Sequence, residues 1–275
     1  MRSYARPQTL EEAIGLLAER PRRLLAGGTD LYPLAGAQLD GDVMDLMSIP
    51  ALTGITHHRG LRIGACTTWT ELATADLPPA CRALQQAAQQ VGGRQIQNSG
   101  TIGGNLCNAS PAADGVPPLL ALDARIDLCG PQGTRQLALS DFLTGPRQTR
   151  RRPDEVLTAV ILPEHALRGR SAFVKLGARA YLVISVVMVA ARLQLSAGQI
   201  SEAAIAVGAC SAVAQRLFAL EARIAGLTPA AALAAIHDAD LGAVLSPIDD
   251  VRGSADYRQG AARALICRAV TEGLA

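Results

Sequence analysis

The sequence predicts an α+β protein made of two or three compact units. Its 275 residues exceed the usual size of one domain. Helix-capping patterns alternate with short, strand-like apolar runs in the first half, and strand-like runs precede an alanine-rich helical stretch in the second half. Hydrophobic residues make up 49% of the chain and charged residues 18%, so there is enough apolar material for a well-formed core.

The first unit begins with a helix. Thr9 and Glu12 have the spacing of a capping box, an apolar stripe follows them, and Pro21 ends the helix. A short apolar strand is predicted over residues 24–26 and a second one over residues 43–46. These elements predict a small α/β unit at the start of the chain.

The second unit opens with a predicted hairpin over residues 55–64, which turns at Arg59 and Gly60. A second capping box lies at Thr68 and Glu71, and an alanine- and glutamine-rich helix is expected from about residue 80 to 91. Residues 94–114 are rich in glycine and asparagine, a composition that predicts neither a helix nor a regular strand. The remaining predicted elements are a short helix that begins after Pro117 and Pro118 and ends over residues 119–122, strands over 125–128 and 135–139, and an arginine-rich loop over 145–153.

The last unit is predicted to be α+β and to start after a boundary at residues 163–170. Strands are expected over residues 172–176, 185–194 and 203–208, followed by the alanine-rich helical region. The last helix is expected to begin at Ser254, a favourable N-cap residue.

Composition and charge exclude several classes of function. The net charge is +2 and there is no basic stripe, so the chain is not expected to bind nucleic acid. Six cysteines are present without a CxxC pair or a histidine cluster, and they are therefore expected to pack as small hydrophobes rather than to bind zinc or an iron–sulfur cluster. No signal peptide and no apolar run of membrane-spanning length is found, which predicts a soluble, cytoplasmic protein without a membrane span.

A first glycine turn, residues 25–31, follows the predicted strand at residues 24–26. Adjacent glycines let the backbone approach a ligand closely, and successive N–H groups can form an anion site with a threonine hydroxyl beside them. Alone, such a turn is most often only a turn. It has neither the spacing of a Rossmann fingerprint nor the lysine of a P-loop. Its residues are Leu25, Ala26, Gly27, Gly28, Thr29, Asp30 and Leu31.

A second glycine segment, residues 98–108, again has paired glycines after a threonine. A tightly wound surface turn whose asparagines satisfy backbone groups is one interpretation. Two such segments without a lysine to balance a phosphate favour a second interpretation, neutral backbone recognition of a diphosphate. The candidate residues here are Gly100, Thr101, Gly103, Gly104, Asn105, Cys107 and Asn108.

Six segments, taken in order, resemble the medium, FAD-binding subunit of xanthine dehydrogenase, carbon monoxide dehydrogenase and related molybdenum hydroxylases. The resemblance covers essentially the whole chain, and its most specific part is the tandem of the two glycine segments. It implies the two-subdomain FAD-binding fold of the vanillyl-alcohol-oxidase (PCMH) type, followed by a C-terminal α+β flavoprotein domain. The matching segments are residues 25–31, 64–68, 100–105, 109–114, 154–157 and 252–258. The implied domains are residues 1–55, 56–165 and 170–275.

The resemblance also implies a cofactor and its site. The two glycine segments would enclose the FAD pyrophosphate, Cys107 and Asn108 would line the ribityl and ring region, and Asp114 would hydrogen-bond the cofactor; a helix-capping acid is the other interpretation of Asp114. Arg151 stands where relatives usually place a leucine against the flavin, and it could contact the ring edge or a phosphate, or point into solvent. Lys175 begins a segment that borders the electron-acceptor side in relatives. Val183 replaces an aspartate that many relatives carry there, which leaves the acceptor open.

The implied activity is electron transfer, with no catalytic acid or base. A small subunit with 2Fe–2S clusters and a large molybdopterin subunit are the expected partners, and NAD or another electron acceptor would take the electrons from FAD. Two alternatives remain open at this point. One is a stand-alone flavin oxidoreductase of the same fold, and the other is a nucleotide-binding module without flavin.

Overall fold

The computed structural model describes residues 3–35, 39–57, 59–180 and 182–275. The first part of the chain forms a parallel three-stranded sheet in the order β1-β3-β2. Both strands predicted there are present, each within a residue or two of the expected bounds. The elements are β1 (Tyr4–Ala5), α1 (Leu10–Glu19), β2 (Arg23–Leu25), α2 (Leu31–Leu34) and β3 (Val43–Asp45).

Helix α1 is capped almost as predicted. The Thr9 hydroxyl accepts a hydrogen bond from the Glu12 N–H at 3.2 Å, whereas the Glu12 carboxylate accepts from the N–H of Gln8, one residue before the cap. The buried side chains of α1, Ala13 and Leu17, lie in one apolar cluster with Met44 and Leu46. This cluster holds the helix on the small sheet and fixes the position where β2 ends.

The second part forms a five-stranded antiparallel sheet in the order β4-β5-β10-β6-β7, with helices packed against it. A short two-stranded sheet, β8 with β9, lies beside it. Short 3-10 helices cover Pro50–Leu52 and Pro79–Cys81. The elements are β4 (Ile55–His57), β5 (Gly60–Gly64), α3 (Trp69–Thr74), α4 (Arg82–Gln90), α5 (Arg94–Ser99), α6 (Ile102–Asn108), α7 (Val116–Ala121), β6 (Arg125–Gly130), β7 (Gly133–Ala138), α8 (Leu139–Phe142), β8 (Leu143–Gly145), β9 (Gln148–Thr149) and β10 (Val156–Pro163).

The predicted hairpins and the capping box at Thr68 are confirmed, but three features differ from expectation. Strand β10 was not predicted, although it is the central strand of the sheet. Residues 94–108, expected to lack regular structure, form helices α5 and α6. Helix α7 begins at Val116, before the two prolines and not after them, because prolines in the first turn of a helix remove no intrahelical bond.

The C-terminal part is a four-stranded antiparallel sheet, β11-β12-β13-β14, covered by helices. A 3-10 helix over Glu164–Leu167 precedes it. The Ser254 hydroxyl caps the last helix by accepting from the Tyr257 N–H, as predicted. The elements are β11 (Arg170–Leu176), β12 (Val187–Ser196), β13 (Gln199–Gly208), β14 (Gln215–Arg216), α9 (Phe218–Ile224), α10 (Pro229–His237) and α11 (Ala255–Leu274). The predicted α+β fold class is confirmed.

A buried charge network joins the C-terminal sheet to the second part. Arg192 is fully buried, donates to the Ala121 carbonyl at 2.9 Å and pairs with Glu202 at 2.6 Å. Arg216 pairs with Asp123 at 2.6 Å. These bonds fix the C-terminal part against α7 and the residues that follow it. No helix in the described parts of the chain combines the length and the apolar character that a membrane span requires.

Candidate functional site

A cleft of about 730 Å³ lies where the three-stranded and five-stranded sheets meet. One wall is the first glycine turn between β2 and α2, and another is the second glycine segment at the start of α6. The hairpin of β8 and β9 forms a further wall. Sites of this size and shape, lined by apolar groups and a few directed polar ones, are typical of cofactor binding.

The first glycine turn touches the second glycine segment through its backbone. A Cβ atom on Gly27 would stand 1.7 Å from the carbonyl oxygen of Ser99, so only glycine permits this approach. Gly28 has a φ of +70°, in the left-handed region that favours glycine. The two glycines are therefore explained by the contact and by the turn, and together they bring both segments to one side of the cleft.

The N–H groups of the two segments differ in what they bind. Within the described residues, the N–H groups of Gly27, Gly28, Thr29 and Asp30 donate to no protein acceptor. In α6, by contrast, the first-turn N–H groups are all used: Ile102 donates to the Thr67 carbonyl, Gly103 to that of Ala65, Gly104 to the Thr101 hydroxyl and Asn105 to the Thr101 carbonyl. The free donors that line the cleft therefore belong mainly to the first glycine turn.

The charge of the cleft differs from the neutral recognition that the sequence predicted. Four arginines line it, Arg22, Arg23, Arg147 and Arg151, and among the described residues Asp30 is the one carboxylate in the lining. The guanidinium of Arg22 is bound by the Leu16 carbonyl, the Ser3 hydroxyl and Glu19, so the other three supply the charge. Arginine guanidinium groups favour phosphate through charge and through directed N–H donors. The cleft is therefore a cationic site with free backbone donors, which suits a diphosphate.

The far end of α6 also faces the cleft. Cys107, Asn108 and Asn105 line it there, and Arg147 donates to the side chain and to the carbonyl of Asn108. The Oδ1 atom of Asn105 is buried without a hydrogen-bond partner in the described residues. Burial raises the pKa of the Cys107 thiol to about 11, while the charge of Arg151 acts in the opposite direction. The thiol is therefore neutral at pH 7, as expected of a packing residue.

Most of the residues predicted from the sequence line the cleft, namely Ala26, Gly27, Gly28, Thr29, Asp30, Leu31, Gly100, Thr101, Gly103, Gly104, Asn105, Cys107, Asn108 and Arg151. Leu25, Asp114 and Lys175 do not. Leu25 is buried at the end of β2. Asp114 is buried and pairs with Lys175 at 2.6 Å and with the Ser185 hydroxyl at 2.5 Å. Burial raises the pKa of the Asp114 carboxyl, whereas the interactions with Lys175 and Ser185 act to lower it.

Other lining residues were not predicted. Arg22 and Arg23 precede the first glycine turn directly, so the strand that carries the turn could have indicated them. Leu157 lies in a segment that matched the family, and it also lines the cleft. The remaining unpredicted residues include Leu46, Trp69, Val91, Ile96, Thr144, Arg147, Gln148 and Thr149.

Comparison with known families identifies two matching regions. Residues 1–165 match the FAD-binding domain in molybdopterin dehydrogenase. Residues 172–273 match the C-terminal domain of the CO dehydrogenase flavoprotein.

Individual relatives agree with these matches. The chain is 37% identical over 220 residues to a putative xanthine dehydrogenase FAD-binding subunit of Escherichia coli (strain K12), covering 75% of this chain and 73% of the relative. It is 30% identical over 278 residues to the carbon monoxide dehydrogenase medium chain of Hydrogenophaga pseudoflava, covering 97% of this chain and 95% of the relative. A solved structure of reconstituted CO dehydrogenase from Oligotropha carboxidovorans superimposes with a TM-score of 0.89 at 30% identity, covering 100% of this chain and 98% of the other.

Proposed function

Because the chain belongs to the family of FAD-binding domains in molybdopterin dehydrogenases, we propose that it receives electrons from partner 2Fe–2S clusters on bound FAD and passes them to NAD or another acceptor. The row of free N–H groups from Gly27 to Asp30, facing a cleft lined by four arginines, is the observation that supports this most strongly. It provides donors and positive charge where a dinucleotide has its diphosphate.

Several predictions made from the resemblance are confirmed by the comparisons. FAD is the cofactor, and the chain is the FAD-dependent subunit of an oxidoreductase complex. The fold is an FAD-binding domain followed by a C-terminal flavoprotein domain. The domain bounds 1–55, 56–165 and 170–275 are part of the proposal, as are the individual cofactor-binding residues.

Bound FAD supplies the two-electron redox chemistry, and the residues of this chain hold it in place. We assign the diphosphate to the free donors of the first glycine turn, with Arg23 close by at the start of β2. Leu46, Ile96 and Leu157 provide apolar surface for the two ring systems. No acid or base of this chain is needed to move a proton in such a role, because the redox chemistry belongs to the cofactor.

The partner assignment rests on the family. A small subunit with 2Fe–2S clusters and a large molybdopterin subunit are the proposed partners, and NAD is one candidate acceptor. Lys175 and Asp114 lie at the junction with the C-terminal part, in the region proposed to border the acceptor. Their pairing ties β11 to the segment before α7 and so fixes the C-terminal part against the second part.

Purification of the tagged chain from its native host tests the proposal. We expect a yellow protein with the absorbance of oxidised flavin, together with an iron–sulfur subunit and a molybdopterin subunit. Reduction of the complex by its substrate should bleach the flavin, and addition of NAD should restore the colour if NAD is the acceptor.

Other outcomes would favour other functions. A colourless chain that cannot be reconstituted with FAD would be a nucleotide-binding module without flavin. A yellow chain that oxidises an organic substrate with no other subunit present would be a stand-alone flavin oxidoreductase. Either result would contradict the proposed electron transfer within a complex.

A further inference from the structure

Of the three consecutive arginines at residues 150–152, Arg151 is the one that lines the cleft. The residue is half-buried, and its guanidinium donates to the carbonyl oxygens of Arg152 at 2.9 Å and of Glu155 at 2.7 Å. Its backbone N–H donates to the Thr149 hydroxyl. These bonds hold the side chain against the protein, so the interpretation in which it points into solvent is wrong.

The charge of Arg151 has no carboxylate partner within the described residues. The nearest acids along the chain are Asp154, which forms no ion pair with Arg151 in the described residues, and Glu155. The Glu155 carboxylate is occupied by Arg135 at 2.6 and 2.8 Å and by the N–H of Arg152 at 2.7 Å. Carbonyl oxygens accept hydrogen bonds from Arg151 without cancelling its charge. A half-buried cation without an ion pair therefore stands in the cleft wall.

The field of this cation reaches the end of α6. Arg151 is the charge that opposes the effect of burial on the pKa of the Cys107 thiol, so it acts on the cleft at that point. Arg147 adds a second charge beside Asn108, again without a carboxylate within salt-bridge distance in the parts of the chain that are described. This end of the cleft carries two positive charges and no negative one.

The same end is separated from the diphosphate donors by the length of α6. Seven residues of helix extend about 10 Å at 1.5 Å per residue. Arg151 acts at the Cys107 end of this helix, whereas the first glycine turn contacts Ser99 and Gly100, just before its other end. We therefore assign Arg151 to the part of the cofactor beyond the diphosphate, which the family resemblance implies is the ribityl chain and the flavin ring.

We propose that the positive charge of Arg151 raises the reduction potential of the flavin bound in this cleft. The proposal rests on the proposed function, since it requires FAD in the cleft with its ring towards Cys107. Two electrons and one proton convert the oxidised ring into a reduced ring with one negative charge, and the electrons come from the partner clusters or, in an assay, from dithionite. A fixed cation nearby favours the reduced form by Coulomb attraction.

The test compares three variants as FAD-loaded protein within the purified complex. Arg151→Leu removes the charge and keeps an apolar side chain, and Arg151→Lys retains the charge. Arg150→Leu is the matched control, because Arg150 is exposed, lies next to Arg151 and does not line the cleft. Each protein is reduced stepwise with dithionite in the presence of a dye of known potential, and the fraction of reduced flavin is read from its absorbance.

At a fixed potential, we expect the ratio of reduced to oxidised flavin in Arg151→Leu to fall by on the order of tenfold, which equals about 30 mV for a two-electron couple. Arg151→Lys should restore most of the ratio, and Arg150→Leu should leave it within about twofold of the parent. A ratio in Arg151→Leu equal to that of Arg150→Leu would overturn the proposal. So would weaker FAD binding in Arg151→Leu at an unchanged ratio, because that result assigns Arg151 to a phosphate. Failure of the parent protein to bind FAD would refute the proposed function instead.

Discussion

Replacement of Gly27 by alanine perturbs the contact between the two glycine segments with a single methyl group. The new Cβ would lie 1.7 Å from the Ser99 carbonyl oxygen and 2.5 Å from its carbon, both of them backbone atoms. Neither atom can move as a flexible side chain would. The first glycine turn must therefore retreat from Ser99 until the Cβ–oxygen distance exceeds 3.0 Å, a movement of more than one ångström.

The expected loss of FAD affinity follows from that movement. Hydrogen bonds from N–H to oxygen occupy a range of only about 0.5 Å, so a displacement larger than this breaks them. A hydrogen bond to a charged group contributes about 1.5–3 kcal/mol. If two of the free donors between Gly27 and Asp30 lose the diphosphate, the cost is at least about 3 kcal/mol, and FAD should bind at least about a hundredfold more weakly.

The assay is a titration of apoprotein with FAD, followed by the quenching of flavin fluorescence. The control is Gly15→Ala in α1, where a Cβ meets no atom within 4 Å and a helical alanine is favoured. Circular dichroism should show the same secondary structure in both variants. If Gly27→Ala binds FAD within about threefold of the parent while it remains folded, the two segments do not enclose the diphosphate and the cleft has been misassigned.

Three further predictions concern the same region. Gly104→Val should leave the protein folded but without flavin, because its Cβ would meet only the Thr101 hydroxyl, at 2.9 Å, and its methyls would occupy the cleft; normal flavin content in the purified variant would contradict this. Asp114→Asn should lower the free energy of unfolding in urea by about 3 kcal/mol, since it leaves the buried Lys175 ammonium without its anion, and a loss below about 1 kcal/mol would show that the pair is not needed. Arg135 holds the pKa of the Glu155 carboxyl below its usual 4.5, so the stabilisation from this pair is present above pH 4.5 and disappears as the pH falls through the folded-state pKa. Glu155→Gln should therefore be less stable than the parent near pH 7, and the difference should shrink as the pH falls below 4.5; a difference that is unchanged throughout the acid range would refute the ion-pair explanation.

Features coded by neighbouring residues could be predicted from the sequence. The caps at Thr9, Thr68 and Ser254 each involve a hydroxyl and an N–H three residues later, so a short pattern contains the whole interaction. The hairpin that turns at Arg59 and Gly60 is equally local. Gly28 of the first glycine turn could be recognised because its positive φ restricts the choice of residue.

Features that depend on residues far apart in the sequence could not be predicted in this way. Strand β10 is buried on both faces between β5 and β6, so it reads as a continuous apolar run that does not distinguish a strand from a buried helix. Helix α6 has two glycines in its first turn and a low intrinsic helix propensity. It forms because the residues before α3 accept its first two N–H groups, at the carbonyl oxygens of Thr67 and Ala65. Nothing within residues 94–114 indicates those acceptors.

The residues of the candidate site likewise divide into those recognisable from their neighbours in the sequence and those that depend on distant residues. The glycine segments were found from their own residues, whereas Arg147 lies near Asn108 only because the hairpin of β8 and β9 folds back onto α6. The sequence argument for neutral diphosphate recognition considered lysine alone. It therefore overlooked Arg23 close to the first glycine turn, and it had no means of placing Arg147 beside the second.

The two glycine segments look equivalent in the sequence, but their hydrogen bonds assign them different tasks. Every N–H in the first turn of α6 is already bonded to the protein, so this segment cannot supply the main donors to a diphosphate without breaking its own cap. It supplies instead a rigid surface, which hydrogen bonds to the Thr67 and Ala65 carbonyls hold in place and which the backbone of Gly27 contacts. The first glycine turn keeps its N–H groups free and would bend away without that support. Mutations in the first glycine turn should therefore weaken FAD binding directly, whereas mutations in the second should act either by filling the cleft or by releasing the first turn.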